Sequence, residues 1–185
     1  MSTAVQNTIR DRFVDAQDAV CKECEIANRL AAPRISKVVL NMGVGRAIQD
    51  GQILNVVADH LTVIAGQRVA ITKARKSIAQ FRSRQGMKIG CMATLRGQRM
   101  WSFLDKLVYL AIPRIKDFRG LAPRRGFDKQ GNYSLGLNEQ ALFPEVDLER
   151  LEHNQGLNVS IVIDNSDPSK SLSLLKGMGF PFRER

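Results

Sequence analysis

From Lys88 to Arg96 apolar and polar residues alternate without a break. Ile89, Cys91, Ala93 and Leu95 fall on one side, and Lys88, Gly90, Met92, Thr94 and Arg96 on the other. Successive side chains of a strand point to opposite faces, so the segment reads as a half-buried strand with one dry face and one wet, basic face. That restricts the fold, because helices can cover only one face of a sheet built on such a strand. The expected class is α+β in two layers: a mostly antiparallel sheet, helices packed on one face, and an open face in front.

The rest of the chain supplies the helices. Apolar positions Val5, Ile9, Phe13, Ala16, Val20 and Cys24 recur at helical spacing, which predicts an amphipathic helix from Thr3 to about Asn28, packed on the domain. Arg34 to Met42 reads as a strand with Ser36, Val38, Leu40 and Met42 on one face and Lys37 and Asn41 on the other. Asp50 is placed to cap a helix that runs through Leu54, Val57, Leu61 and Ile64 and is closed by Gly66. A strand over Arg68–Thr72 follows, then the basic run Lys73-Ala-Arg-Lys76 and a loop from Ser77 to Gly86. Gly97 opens a helix through Ala111, stopped by Pro113, in which Trp101, Phe103 and Tyr109 are expected to be core. Leu157–Ile163 reads as a strand, and Pro168 begins a short helix ending near Gly177. At 185 residues, 1–185 is expected to be a single domain, with residues 1–30 as a helix lying on it.

Charge says what the open face meets. Between His60 and Leu104 stand nine Lys/Arg and no Asp or Glu, in a chain with 28 basic and 18 acidic residues. Clustered cations without carboxylates repel one another, and a phosphate backbone relieves that repulsion. The plain alternative is a solvated basic face. A run that also spans strands, turns and a helix favours nucleic acid.

Several other chemistries are poorly supported. Asn41-Met-Gly43-Val-Gly45 begins like a dinucleotide loop, but Ile48 stands where a third glycine belongs. Cys21-Lys-Glu-Cys24 has no second pair to complete a zinc site, and Cys91, His60 and His153 are scattered. With two isolated histidines and no acid in the basic window, neither a general base nor a nuclease metal site can be assembled from neighbours. No cofactor and no metal are expected. An odd count of three cysteines fits a reducing cytosol. The start MSTAVQNTIRDRF lacks an apolar signal region and the longest apolar run is Leu107–Pro113, so a soluble, cytoplasmic protein without a membrane partner is expected.

Dense motifs then point to a family. Asn41-Met-Gly-Val-Gly45, Ala65-Gly-Gln67, Ile71-Thr-Lys-Ala-Arg-Lys-Ser77, Arg84-Gln-Gly86, Thr94-Leu-Arg-Gly97 and Arg99-Met-Trp101 resemble bacterial large-subunit ribosomal protein five. So do Asp117-Phe-Arg-Gly120, Gly131-Asn-Tyr-Ser134, Phe143-Pro-Glu145 and Phe180-Pro-Phe182, and the resemblance covers about Arg34 to Phe182. Arg46, where an acid is common, a slightly longer Ala122–Phe127 loop and the Cys21/Cys24 pair depart from the pattern. The resemblance implies a curved sheet backed by helices that binds 5S ribosomal RNA in the central protuberance. It also implies contact with large-subunit rRNA of the 23S type, peptidyl-site transfer RNA, neighbouring 5S-binding proteins and small-subunit protein thirteen.

The resemblance assigns Asn41, Gln67 and Thr94 to hydrogen bonds with ribosomal RNA, while Thr72, Lys73, Arg75 and Lys76 can neutralise phosphates. It assigns the loop carrying Ser77, Gln80, Phe81, Arg82, Ser83 and Arg84 to transfer RNA, the alternative being a flexible connector. Glu139, Glu145, Asp147, Glu149 and Glu152 face one base, Arg150, and the family places this segment at the bridge to the basic small-subunit protein. A wet acidic surface is the alternative there. Two rival functions remain: an RNA-modifying enzyme, which lacks a visible catalytic constellation, and a DNA-binding regulator, whose recognition helix would be more polar than the one after Gly97.

Overall fold

The computed structural model describes residues 8–26, 28–48, 50–116, 118–123, 125–146 and 155–183. Its main elements are α1 (Ile9–Glu23), β1 (Arg34–Gly43), α2 (Gly51–Ala65), β2 (Ala70–Lys73), β3 (Lys88–Leu95), α3 (Gly97–Lys106), β4 (Tyr133–Leu137), β5 (Leu157–Asp164) and α4 (Pro168–Gly177). The strands form one sheet in the order β2-β3-β1-β5-β4, so the class is α+β. Backbone contacts divide the chain into two compact units, one within Met1–Lys37, Arg96–Leu135 and Ser160–Arg185, the other within Val38–Leu95 and Gly136–Val159.

In the first unit, α1 is fixed at its start by two carboxylates. Asp11 accepts from the Thr8 hydroxyl at 2.7 Å and the Thr8 N–H at 3.2 Å. Asp105 of α3, far along the chain, accepts from the Ile9 N–H at 2.9 Å. Both satisfy or flank the unpaired donors of a helix N-terminus, where negative charge is favoured. The helix buries Ile9, Ala16 and Val20 and packs on α4 and α3. It ends at Glu23 rather than near Asn28. Glu25 adopts a left-handed φ of 51° while the Ile26 N–H reaches back to the Cys21 carbonyl, and Asn28 instead caps a short 3₁₀ turn by accepting from Leu30 N–H. The expected start at Thr3 lies outside the described residues.

The helix after Gly97 is also not uniform. Leu107–Ala111 widens into a π-helix and Ile112–Arg114 tightens into 3₁₀. Pro113 explains the change: it has no N–H to donate, and its ring collides with the carbonyl four residues back. Phe103 is buried as expected, but Tyr109 is exposed, with the Arg12 guanidinium 5.4 Å from its ring centroid. Trp101 is half-buried against Phe13, ring centroids 5.0 Å apart.

In the second unit the antiparallel registers define the layers. Val38 pairs with Leu95, Leu40 with Ala93 and Met42 with Cys91, and all six are buried on the face that carries α2. Ile35 is buried as well, so the alternation expected around Ser36 breaks between residues 35 and 38. Helix α2 spans the expected segment: Asp50 accepts from Gln52 N–H at 2.8 Å, and Gly66 closes the helix at φ 63°. β2 begins at Ala70, two residues later than expected. Ahead of it, the Gln67 side-chain amide donates to the Thr94 carbonyl at 3.0 Å, occupying an acceptor on the edge where the backbone ladder would otherwise extend.

Helices α1 and α4 approach closely at Ala16 and Gly177, where a Cβ added to Gly177 would lie 2.6 Å from the Ala16 Cβ. Gly177→Val should therefore force α1 and α4 apart and lower stability by about 1–3 kcal/mol. Gly136→Ala, whose added Cβ meets only Asn158 Oδ1 at 3.4 Å, should have a much smaller effect; thermal unfolding of the two variants checks this.

Candidate nucleic-acid interface

The same registers that bury Leu40 and Ala93 turn the intervening residues to the opposite face of the sheet. Three rows cross it: Thr72–Gly90–Gly43, Ala70–Met92–Asn41, and Thr94–Val39. Asn41 and Thr94 thus sit in adjacent rows, both half-buried, and Gln67 is tied to Thr94. The three residues expected to hydrogen-bond RNA lie together, and Thr72 joins them one row away.

Gly90 keeps this face low. A Cβ there would lie 2.7 Å from the Met42 carbonyl oxygen and 3.0 Å from Thr72 Oγ1. Met92, 37% exposed, and half-buried Val39 give the centre an apolar floor, so the face is less polar than the sequence pattern suggests.

A register shift between Thr72 and Lys73 sets Lys73 directly opposite Lys88. Like charges facing across strands are unfavourable, and among the described residues neither lysine is in an ion pair. Arg75 and Lys76 continue the exposed basic edge, and Arg68 and Arg96 are also exposed. Sequence reasoning does not single out Lys88 as an RNA contact. Alternation does put it outward, but only the shifted pairing makes it the neighbour of Lys73.

Beyond β2 the chain is tied down rather than loose. The Ala74 N–H donates to the Met87 carbonyl, Gly86 N–H to the Ala74 carbonyl, and Ile78 and Ser83 exchange both backbone bonds at 3.0 and 3.2 Å. Ser77 Oγ accepts from Gln85 N–H at 2.9 Å, and Arg82 takes the left-handed conformation at φ 51°. At the tip, Gln80, Phe81, Arg82 and Arg84 are exposed, Phe81 to 65%. These bonds give the loop a defined backbone shape.

Of the acidic segment, Glu139 and Glu145 are described and exposed, whereas Asp147, Glu149 and Glu152 lie outside the described residues. Phe143 and Val146 are buried and anchor it. Gln155 donates from its amide to the Gly43 carbonyl at 2.6 Å, fixing the return of the chain beside the end of β1.

Groups with catalytic potential are not gathered here. Among the described residues no cluster of three or more His, Cys, Asp or Glu could hold a metal ion. Burial pushes the Cys91 thiol up to about 11, so it stays protonated at neutral pH and is a poor nucleophile. Cys21 and Cys24 are free thiols at the end of α1. No helix among the described residues is long and apolar enough to cross a membrane.

Comparison with known proteins identifies the family of the chain. Residues 28–84 match the family described as ribosomal protein L5, and residues 88–182 match the model of that family's C-terminus. A large ribosomal subunit protein uL5 from Roseiflexus castenholzii is 51% identical over 166 residues, covering 90% of this chain and 92% of that protein. The protein of that name from Nocardia farcinica is 47% identical over 181 residues, 97% of this chain and 96% of its own length. One from Brachyspira hyodysenteriae is 42% identical over 178 residues, 96% of this chain and 95% of its own length. Identity at this level, sustained across both matched segments, means that the chain belongs to the ribosomal protein L5 family.

Proposed function

We propose that this protein is a structural, non-catalytic component of the large ribosomal subunit in the bacterial cytoplasm, and that its open sheet face binds 5S ribosomal RNA and attaches it in the central protuberance. One observation carries the reading: Asn41, Gln67 and Thr94 converge on a face rimmed by Lys73, Arg75, Lys76 and Lys88. Cations position the RNA backbone there, while the amides and hydroxyl read groups that a phosphate contact cannot. Aromatics are absent from the three rows, so recognition goes through 2′-hydroxyls, phosphates and the shape of a folded RNA rather than through stacked bases.

The tethered Ser77–Arg84 loop is the contact for peptidyl-site transfer RNA in this reading. A preformed tip presenting Arg82, Arg84 and Phe81 loses little entropy on docking. The acidic segment from Glu139 to Glu152, which phosphates would repel, faces the basic small-subunit protein thirteen, and weak charge contacts suit a bridge between moving subunits. Large-subunit rRNA of the 23S type and neighbouring 5S-binding proteins complete the partners.

Each part has its own test. With about five phosphates neutralised, log affinity for 5S RNA should fall with log salt at a slope near −4. Asn41→Ala with Thr94→Ala should cost about 1–3 kcal/mol per lost partner in a filter-binding assay, and parental affinity in the double variant would refute the sheet-face site. Arg82→Glu with Arg84→Glu should leave 5S binding nearly intact but weaken transfer-RNA retention on assembled ribosomes; equal loss of both would move the loop into the 5S site. Glu145→Lys, Asp147→Lys and Glu149→Lys together should slow subunit association in stopped-flow light scattering without altering 5S binding, and unchanged kinetics would leave the segment merely solvated.

A further inference from the structure

The Cys21-Lys-Glu-Cys24 motif is a sequence feature that RNA recognition leaves unused. Both thiols are free and lie at the last turn of α1, Cys24 exposed and Cys21 half-buried. The chain leaves the helix there through a Schellman closure: the Ile26 N–H donates to the Cys21 carbonyl at 2.9 Å and the Glu25 N–H to the Lys22 carbonyl at 3.4 Å. Cys21 anchors this closure, and Cys24 is the residue at which helical backbone ends, with φ −100° and ψ 8°. Glu25 then takes the left-handed position at φ 51°, which glycine occupies at lower cost. Backbone strain is therefore held at the residue next to an exposed thiol.

The spacing of the pair decides what it can do. Residues three apart on an α-helix have Cα atoms about 5 Å apart, inside the range of about 4.4–6.8 Å that disulfides span. Their Cβ atoms, however, are about 5–6 Å apart, more than the roughly 3.5–4.5 Å that a disulfide needs. The pair thus stays open while α1 keeps its end, and it closes when the backbone turns at Cys24. That turn breaks the two Schellman bonds, one of them already long, and in exchange releases Glu25 from its left-handed conformation.

Nearby bonds confine the rearrangement. The Gln17 amide donates to the Pro33 carbonyl at 3.0 Å, Asp18 pairs with Arg29 at 3.4 Å, and the Asn165 amide donates to the Leu30 carbonyl at 3.1 Å. The linker is thereby tied to α1 about one turn before Cys21, so the helix end can open without releasing β1.

A metal fits this pair less well. Zinc takes four ligands, and among the described residues no group of three or more His, Cys, Asp or Glu could hold a metal ion. The third cysteine does not compete for an oxidant, since Cys91 is fully buried and burial pushes its thiol up to about 11.

We infer that Cys21 and Cys24 form a reversible dithiol–disulfide site for low-molecular-weight disulfides, and that the Schellman closure of α1 opens when the site is oxidised. Cys24 gives its proton to solvent, and its thiolate attacks one sulfur of glutathione disulfide. A Cys24–glutathione bond forms and one glutathione leaves as thiolate. Cys21 then loses its proton and attacks the Cys24 sulfur, expelling the second glutathione and closing the Cys21–Cys24 bond. The protein loses two hydrogens while one glutathione disulfide becomes two glutathione thiols. An exposed disulfide formed at the expense of a helix end is of the labile kind, so excess glutathione reverses the exchange.

The test equilibrates the full chain in buffers of fixed glutathione and glutathione disulfide ratio. Samples are quenched with acid, alkylated in denaturant and read by peptide mass spectrometry; thermal unfolding establishes that each variant is folded. The expected result is that Cys21 and Cys24 lose their alkylation together, with a loss of two hydrogens, while Cys91 stays alkylated and excess glutathione restores the thiols. Cys21→Ser should stop at a glutathione adduct on Cys24. Glu25→Gly removes the strain that oxidation releases, so its pair should stay reduced up to a ratio about tenfold more oxidising. A parent chain that stops at a stable adduct on either cysteine, or that crosslinks to a second chain on a non-reducing gel, would overturn the inference. An unshifted midpoint in Glu25→Gly would overturn it too, because the pair would then close without involving the helix end.

Discussion

The hydrogen-bonded ladder between β1 and β3 decides which residues this protein hides and which it offers. In an antiparallel pair, residues directly opposite share a face, so pairing Leu40 with Ala93 necessarily pairs Asn41 with Met92 on the other side. A slip of one residue would send Val38, Leu40 and Met42 into solvent and Asn41 into the core. The apolar face against α2 thus stabilises the same register that presents the proposed RNA contacts. Core packing and recognition are two sides of a single constraint, and no separate device is needed to align Asn41 with Thr94.

Much of this is legible in the sequence, for reasons that differ between elements. α2 and α4 fall where expected because their ends carry local signals: Asp50 and Gly66 for one, Pro168 and Gly177 for the other. The two faces of β3 follow from alternation alone. What is not legible depends on groups distant in the chain. The late start of β2 depends on the Gln67 amide finding the Thr94 carbonyl, and the Lys73–Lys88 opposition depends on a shifted register that no pattern within either strand encodes. The π segment before Pro113 lies between: the proline is visible, but whether the helix stops or widens is settled by packing of Leu107, Val108 and Ala111. Helical spacing puts Tyr109 inside, yet the widened turn leaves it at the surface beside Arg12. The two-unit division is equally hidden, since it joins segments far apart in sequence.

The family resemblance and the physical reading contribute different things. Composition and charge point to nucleic acid, and alternation points to a sheet with an open face, without any relative in view. The particular RNA comes from the resemblance. What the geometry adds is a reason for the residue types: small Gly90 where three strands crowd, amides and hydroxyls where the face is shielded, and long cations at the rim where they can reach outward.

The contact between Ala16 and Gly177 bears on how the chain acquires its form. Helices α1 and α4 lie near opposite ends of the sequence, and Ile9 leans on Asp105 while Asn165 reaches the Leu30 carbonyl. Each of these closures spans a long loop whose entropy must be lost before the contact returns anything. Topologies dominated by such distant pairings fold slowly, on the order of milliseconds to seconds rather than microseconds. During that interval a strongly basic polypeptide is exposed in a cell full of polyanions. Docking of α4 onto α1 is one of these long-range closures, and until it forms, capture by the wrong RNA competes with folding.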